Sequence, residues 1–317
     1  MNDPFRYNIS KMEQVHFESI IKNCYLKILN REPDEYGFNH YLNLLLGGKI
    51  KIEELEGIFK DSQEYKLNKI IQKTKDIPSV SKIFSHLGIK TNFTNQDNDI
   101  INSVCGYTMT YPNTIYSLIE CVKYVINNKI SGDIVECGVW MGGSMLTIIK
   151  TLLHLNTIDK HLHLFDTFEG WPEKTEFDKY NEKNEETKVS NEILGLGIDC
   201  GVVEQNPPSL QQVKKFLSAT NYPIEKIHFV KGMVQKSLPK HAPSSISLLR
   251  LDTDFYESTK HELIHLFPKL SIGGVLIIDD YDIWQGQKKA VDEYFSKHDI
   301  SINLQKIERG VRIGIKK

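Results

Sequence analysis

Cysteine is scarce and unpatterned in this chain of 317 residues. Its five cysteines, Cys24, Cys105, Cys121, Cys137 and Cys200, are odd in number and never spaced C-x-x-C. That excludes a disulfide scaffold and a thiolate zinc site, and it predicts reduced thiols in a soluble, cytoplasmic protein. A surplus of one charge is also missing: 39 Lys and Arg against 41 Asp and Glu leave a net charge of −2. Nucleic acid and anionic membranes therefore have no electrostatic claim as partners. No apolar run reaches signal or transmembrane length, and Asp3 and Arg6 interrupt the start.

What is present centres on Ser131-Gly-Asp-Ile-Val-Glu-Cys-Gly-Val-Trp-Met-Gly-Gly-Ser144. It reads as a buried strand, Asp133 to Cys137, breaking into a glycine-rich turn that feeds a helix near Ser144. Gly138, Gly142 and Gly143 allow backbone to approach a nucleotide-like ligand where a side chain would intrude. The turn is neither G-x-G-x-x-G nor a Walker loop, because Val139-Trp140-Met141 follows Gly138 and no Gly-Lys-Ser/Thr closes it. Glu136, inside the strand end, would repel a phosphate but suits a cationic or hydroxylated ligand. S-adenosylmethionine (SAM), a sulfonium with a free amine, fits that site better than a phosphorylated nucleotide. Taken alone, the turn also suits an ordinary strand–helix junction.

With 40% hydrophobic residues the chain can bury one full core and a smaller one. Residues 8–75 carry apolar positions at helical spacing, broken at Arg31-Glu-Pro-Asp34 and at Gly47-Gly48, with Asp34 a helix cap. No strand pattern occurs there, so residues 1–90 read as a helical accessory domain. The polar stretch Lys90–Asp99 reads as linker or loop. Residues 91–317 alternate instead. Apolar β-rich runs fall at Ile134–Cys137, Leu162–Phe165, Ile227–Val230, Ile246–Leu251 and Val275–Ile278, with helical patterns at 144–155, 209–219 and 258–269. Such alternation predicts right-handed βαβ units and a parallel sheet covered on both faces. The last two runs, Ile300–Ile307 and Val311–Ile315, are separated only by Glu308-Arg-Gly310, which predicts a closing antiparallel hairpin. A seven-stranded, mostly parallel sheet ending in that way is the pattern of class I (Rossmann-like) methyltransferases.

Ligands of open α/β sheets sit beyond the carboxyl ends of the strands. The second strand stops at Asp166, where a carboxylate suits a ribose diol; a solvated loop aspartate is the plainer alternative. The fourth stops at Asp252-Thr-Asp254 and the fifth at Asp279-Asp280, and one βαβ unit between them brings Asp252, Asp279 and Asp280 towards one point. Crowded carboxylates repel unless a cation or protons compensate them. Oxygen-only ligands suit a hard divalent ion, magnesium first and calcium or manganese after it. The alternative is one helix-capping aspartate among solvated neighbours. Thr259 and Glu262 have capping-box spacing. His161, His163, His261 and His265 read as packing or surface residues, and Trp140, Trp171 and Trp284 lie near strand ends.

The C-terminal two-thirds resembles the macrocin O-methyltransferase family of sugar methyltransferases. The blocks that carry the likeness are Tyr107-Thr-Met-Thr110, Gly132–Ser144, Phe165-Asp-Thr-Phe-Glu-Gly-Trp-Pro172, Ser209–Val213, Val230-Lys-Gly232 with Ser237-Leu-Pro239, Arg250–Thr259, Gly273–Tyr281 and Ala290–Tyr294. The resemblance implies SAM- and magnesium-dependent methylation of a sugar hydroxyl by a homo-oligomer, a dimer or larger. It implies a metal triad of Asp252, Asp279 and Asp280, with Asp252 as general base. Tyr107, Thr108 and Met109 would wall the cofactor. Glu136, Gly138, Val139, Gly142, Gly143 and Ser144 would hold it from the glycine turn, and Asp166, Thr167 and Phe168 from the second strand. Adenine would lie at Gly232-Met233, where the family usually carries an aromatic and an acid and this chain has Met233-Val-Gln-Lys236. The insert at about 173–208 falls where the family has a substrate lid. Tyr25–Leu42 with Phe59–Tyr65 resembles the phycobilisome-linker-like helical domain of bacterial surface-polysaccharide and secreted proteins, which implies docking or substrate presentation. A catechol-type O-methyltransferase, or a non-catalytic sugar-binding or scaffold protein on the same fold, are the alternative readings.

Overall fold

A computed structural model describes residues 11–29, 32–33, 35–62, 65, 84–85, 87, 92–104, 107–181, 207–307 and 310–317. The expected Asp34 cap, Cys105, Cys200 and most of the 173–208 insert lie outside the described residues. The chain divides into two compact units, Met1–Lys75 and Asp76–Lys317.

The first unit holds helices α1 (Lys11–Cys24), α2 (Glu35–Leu46) and α3 (Ile52–Asp61), with a π-helical turn, Tyr25–Leu29, after α1. Ile21, Tyr25, Leu29, Leu42, Leu45, Leu55 and Phe59 bury one face of each element in a shared core. Tyr25 meets the edge of Phe59 at 4.9 Å, a favoured aromatic geometry. The Glu54 carboxylate accepts the Lys51 N–H at 2.8 Å, closing the start of α3.

In the second unit, α4 (Asn95–Val104) and α5 (Pro112–Asn127) precede strand β1 (Asp133–Cys137). Then follow α6 (Gly143–His154), β2 (Leu162–Asp166), α7 (Leu210–Ser218), β3 (Ile227–Lys231), β4 (Ile246–Leu251), α8 (Tyr256–Leu266), β5 (Leu270–Ile278), α9 (Gln285–Lys297), β6 (Gln305–Lys306) and β7 (Arg312–Ile315). The seven strands lie in the order β3-β2-β1-β4-β5-β7-β6. All pairs are parallel except β5–β7 and β6–β7, so the sheet ends in the antiparallel hairpin the sequence predicts. Every residue of β4 is buried, as a central strand covered on both faces requires. Among the described residues no helix is long and apolar enough to cross a membrane.

Three expectations are corrected. The polar stretch before residue 100 is not all linker, because α4 starts at Asn95. Asp97 Oδ2 accepts the Thr94 N–H at 2.8 Å and the Thr94 hydroxyl at 2.9 Å, while Asp97 Oδ1 pairs with Lys123 at 2.7 Å. The polar residues thus cap a helix whose Ile100, Ile101 and Val104 are buried. Thr259 and Glu262 do not cap α8, which begins at Tyr256; Glu262 instead accepts the Thr253 hydroxyl at 2.9 Å. The first arm of the hairpin is ladder only at Gln305–Lys306, although its run of apolar residues begins at Ile300.

Candidate functional site

The carboxyl ends of β1, β2, β3 and β4 border an open cleft with a volume of about 100 Å³. Gly138, Asp166, Thr167, Phe168, Gly232 and Met233, all expected from sequence, line it. Trp140 and Trp171, two of the three tryptophans placed near strand ends by the sequence, line it too, as do Pro207, Pro208, Thr253 and Ser258, which the sequence did not single out. Gly232 has a φ of 130° and open space where a Cβ would stand, so backbone forms the wall there. Gly138 and Gly143 serve differently. A Cβ on Gly138 would overlap the Asp252 carbonyl and one on Gly143 the Tyr107 carbonyl, so these glycines let segments of the protein itself close together.

Asp166 organises the turn. Its Oδ2 accepts the N–H groups of Val139 at 2.6 Å and Trp140 at 3.1 Å, and Oδ1 accepts that of Phe168 at 2.6 Å. Of the other expected cofactor contacts, Thr108 and Val139 are buried, Tyr107 stacks on Phe216 at 4.1 Å, and Met109 is exposed. Gly142 is the left-handed residue that starts α6. Ser144 lines a small second cavity of about 10 Å³, together with Thr110, Thr114 and Arg250.

Beside the cleft, Arg250 gathers the acids. Nη1 donates to Glu136 Oε1 at 2.8 Å and to Asp252 Oδ2 at 2.6 Å, and Nη2 donates to Asp279 Oδ1 at 2.8 Å. The guanidinium side chain is only 3% exposed. Glu136 is wholly buried and its Oε2 has no hydrogen-bond partner. Burial pushes its pKa up to about 7 against the opposing pull of Arg250. Carboxylate oxygens of Asp252, Asp254 and Asp280 all lie within 4.8 Å of one another. The structure therefore brings Asp252 and Asp280 together with Asp254, while Asp279 is held on Arg250. Asp254 occupies the left-handed region at φ 65°, a conformation that costs energy outside glycine and often marks a functional turn.

Burial first, and then repulsion from Asp279 and Asp280, raises the Asp252 carboxyl well above the usual carboxylate range, although Arg250 opposes this. That side chain keeps 24% of its surface exposed, so solvent softens the effect. Asp254 is raised by burial and then by Asp280. A cluster that resists ionisation in this way would be relieved by a hard divalent cation, and its all-oxygen donors fit one. Asp166 and the backbone wall at Gly232 likewise fit a nucleoside, whereas Glu136, expected among the cofactor contacts, lies wholly buried behind the residues that line the cleft.

Sheet order, terminal hairpin and a cleft at the strand ends define a class I methyltransferase. The solved O-methyltransferase NovP superposes with a TM-score of 0.56 at 30% identity, covering 67% of this chain and 82% of NovP. The protein belongs to the macrocin O-methyltransferase (TylF) family, whose model matches residues 39–312. Demethyldecarbamoylnovobiocin O-methyltransferase of Streptomyces niveus is 29% identical over 264 residues, 76% of this chain and 95% of that one. Mycinamicin III 3''-O-methyltransferase of Micromonospora griseorubida is 30% identical over 204 residues, 64% of this chain and 76% of that one. Residues 6–68 match a domain of unknown function, DUF4214, which carries no phycobilisome-linker description.

Proposed function

We propose that the protein transfers a methyl group from SAM to a hydroxyl of a sugar, with a divalent ion, magnesium first, at the acid cluster. The observation that carries this reading is the convergence of Asp252, Asp254 and Asp280 beside the cleft. A further relative, 29% identical, is by its name a 4'-O-methyltransferase of a rhamnosyl-tetracenomycin of Streptomyces olivaceus, which favours a sugar or glycan as acceptor. SAM supplies an activated methyl on a sulfonium. A divalent ion would neutralise the cluster and acidify a hydroxyl bound to it.

The residues do the rest. Asp166 fixes the glycine turn and remains on the wall of the cleft for a ribose diol. Glu136 holds Arg250 from within the sheet core. Asp252, expected from sequence to take the acceptor's proton, accepts a guanidinium hydrogen bond that lowers its basicity. Arg250 donates to Asp252 and Asp279 but not to Asp254 of the same cluster, so we assign the proton to Asp254 and the holding of the ion to Asp252 with Asp280. Asp279 stays available to the ion if Arg250 yields it. Beyond that step, rate comes from orientation and exclusion of water, because methyl transfer asks for little other acid–base chemistry. In the same reading the N-terminal unit is a phycobilisome-linker-like docking module in a homo-oligomer that serves cytoplasmic polysaccharide or natural-product synthesis.

Turnover with SAM on a panel of glycosides and catechols, with and without EDTA, tests the proposal. Methylation of a glycoside that EDTA abolishes is expected. Preference for catechols would move the enzyme to the aromatic class, undiminished turnover in EDTA would remove the ion, and failure to bind SAM in calorimetry would sink the enzymatic reading.

A further inference from the structure

The chain from Thr175 to Asn181 packs as a strap against both acid-bearing loops. Asp178 anchors it. The Asp178 side chain is 5% exposed, and its Oδ1 accepts the Tyr256 N–H at 2.7 Å. Oδ2 accepts the Thr175 N–H and hydroxyl, both at 2.7 Å. Tyr256 opens α8 two residues after the left-handed Asp254, and no side chain of the adjoining Phe255 caps that helix. A carboxylate 78 residues away therefore supplies the cap, with the charge that a helix N-terminus favours. On its other side the strap grips the loop after β5. The Asn181 N–H donates to the Ile283 carbonyl at 2.9 Å, the Gln285 N–H donates to the Lys179 carbonyl at 3.0 Å, and Tyr180 bridges Trp284. Both Ile283 and Trp284 donate their N–H groups to the Asp280 carbonyl at 3.0 Å. Gly286 completes the seat, since a Cβ there would overlap Asp178 Oδ1.

We infer that Asp178 is a positioning residue: it ties the Asp254 turn to the Asp280 loop and so sets the spacing of the carboxylates for a divalent ion. The inference rests on the metal reading above. It asks no contact of Asp178 with the ion, cofactor or acceptor. Partners that orient metal ligands are worth about ten- to a hundred-fold in affinity, which sets the effect to look for.

The test uses the full-length protein, manganese(II) as the probe ion, and calorimetry for manganese and for S-adenosylhomocysteine (SAH). Asp178→Ala is expected to weaken manganese binding about ten-fold or more while SAH affinity stays within about two-fold. Asp178→Asn keeps an oxygen for the Tyr256 N–H but not the second oxygen that accepts from Thr175, and is expected to restore part of the loss. Gly286→Ala pushes on the same carboxylate from the opposite side and is expected to reproduce the alanine phenotype; with the asparagine variant it carries the test if Asp178→Ala does not fold. Unchanged manganese affinity in the folded variants would overturn the inference, as would a parallel loss of SAH binding, which a general structural role produces. A wild-type protein that binds SAH but no manganese also overturns it, and leaves the methyltransferase reading standing. Binding of neither would remove both.

Discussion

Arg250 and Glu136 face each other on neighbouring parallel strands, and the guanidinium Nη1 donates to Glu136 Oε1 at 2.8 Å inside the sheet core. The contact joins the strand that begins the cofactor turn to the strand that ends in the acid cluster. One cation here answers three carboxylates, those of Glu136, Asp252 and Asp279.

Removing that cation should therefore cost far more than a surface ion pair. Arg250→Met leaves buried acids without their partner, and breaking such a group destabilises by about 3–5 kcal/mol. Urea unfolding followed by tryptophan fluorescence at pH 7 measures it. Arg250→Lys keeps the charge but not the fork that spans three acids, so an intermediate loss is expected. A loss below about 1 kcal/mol for Arg250→Met would mean that the bridge behaves like an exposed pair.

The two halves of the site should separate by substitution. Asp280→Asn is expected to lower manganese affinity at least about ten-fold and leave SAH affinity nearly unchanged. Asp279→Asn keeps an oxygen for Arg250 but removes the negative charge that pairs with it, so it should lower unfolding stability in addition. If Asp280→Asn binds manganese as tightly as the wild type in calorimetry, the carboxylate cluster is not the metal site.

Much of this arrangement is legible in the amino-acid order, and the remainder is hidden for identifiable reasons. Strand ends are local features: Asp166, Asp252, Asp279 and Asp280 each close an apolar run, and the βαβ rule places those ends on one edge. Asp254 escapes the same reasoning because its left-handed backbone turns the chain back and carries a residue beyond the strand into the cluster. Arg250 sits within an apolar run, and its role depends on the Glu136 register, which no periodicity encodes. Asp178 is hidden furthest, since its partner amide lies 78 residues on and its own surroundings read as a polar insert. The helix from Asn95 was obscured because its capping residues are also the residues of loops.

Asp166 offers the converse of Asp280. Its carboxylate receives three backbone N–H groups, those of Val139, Trp140 and Phe168. Asp166→Ala should weaken SAH binding about ten-fold or more, as loss of charge-assisted hydrogen bonds at about 1.5–3 kcal/mol each allows, with manganese affinity kept. Calorimetry on one preparation reads both. Equal loss of the two affinities would mean that the turn and the acid cluster collapse together.

The pH dependence of stability has a defined direction at Glu262. This residue is fully buried, its Oε1 accepts the Thr253 hydroxyl at 2.9 Å and its Oε2 has no partner. Burial raises its pKa from 4.5 to about 8, against a smaller lowering by the Thr253 hydrogen bond. Between those two values the folded protein holds a proton that the unfolded chain has released, so folding takes up a proton. Its stabilising contribution is complete below the unfolded value and is lost as pH rises towards about 8, after which it is flat. Glu262→Gln has no proton to lose. The difference in unfolding free energy between the variant and the wild type should therefore move in the variant's favour from pH 5 to pH 8, by on the order of a few kcal/mol. Urea titrations at both pH values give the difference directly. A difference that stays constant, or that moves towards the wild type, would show that Glu262 is ionised in the folded protein and that its second oxygen finds a cation or water.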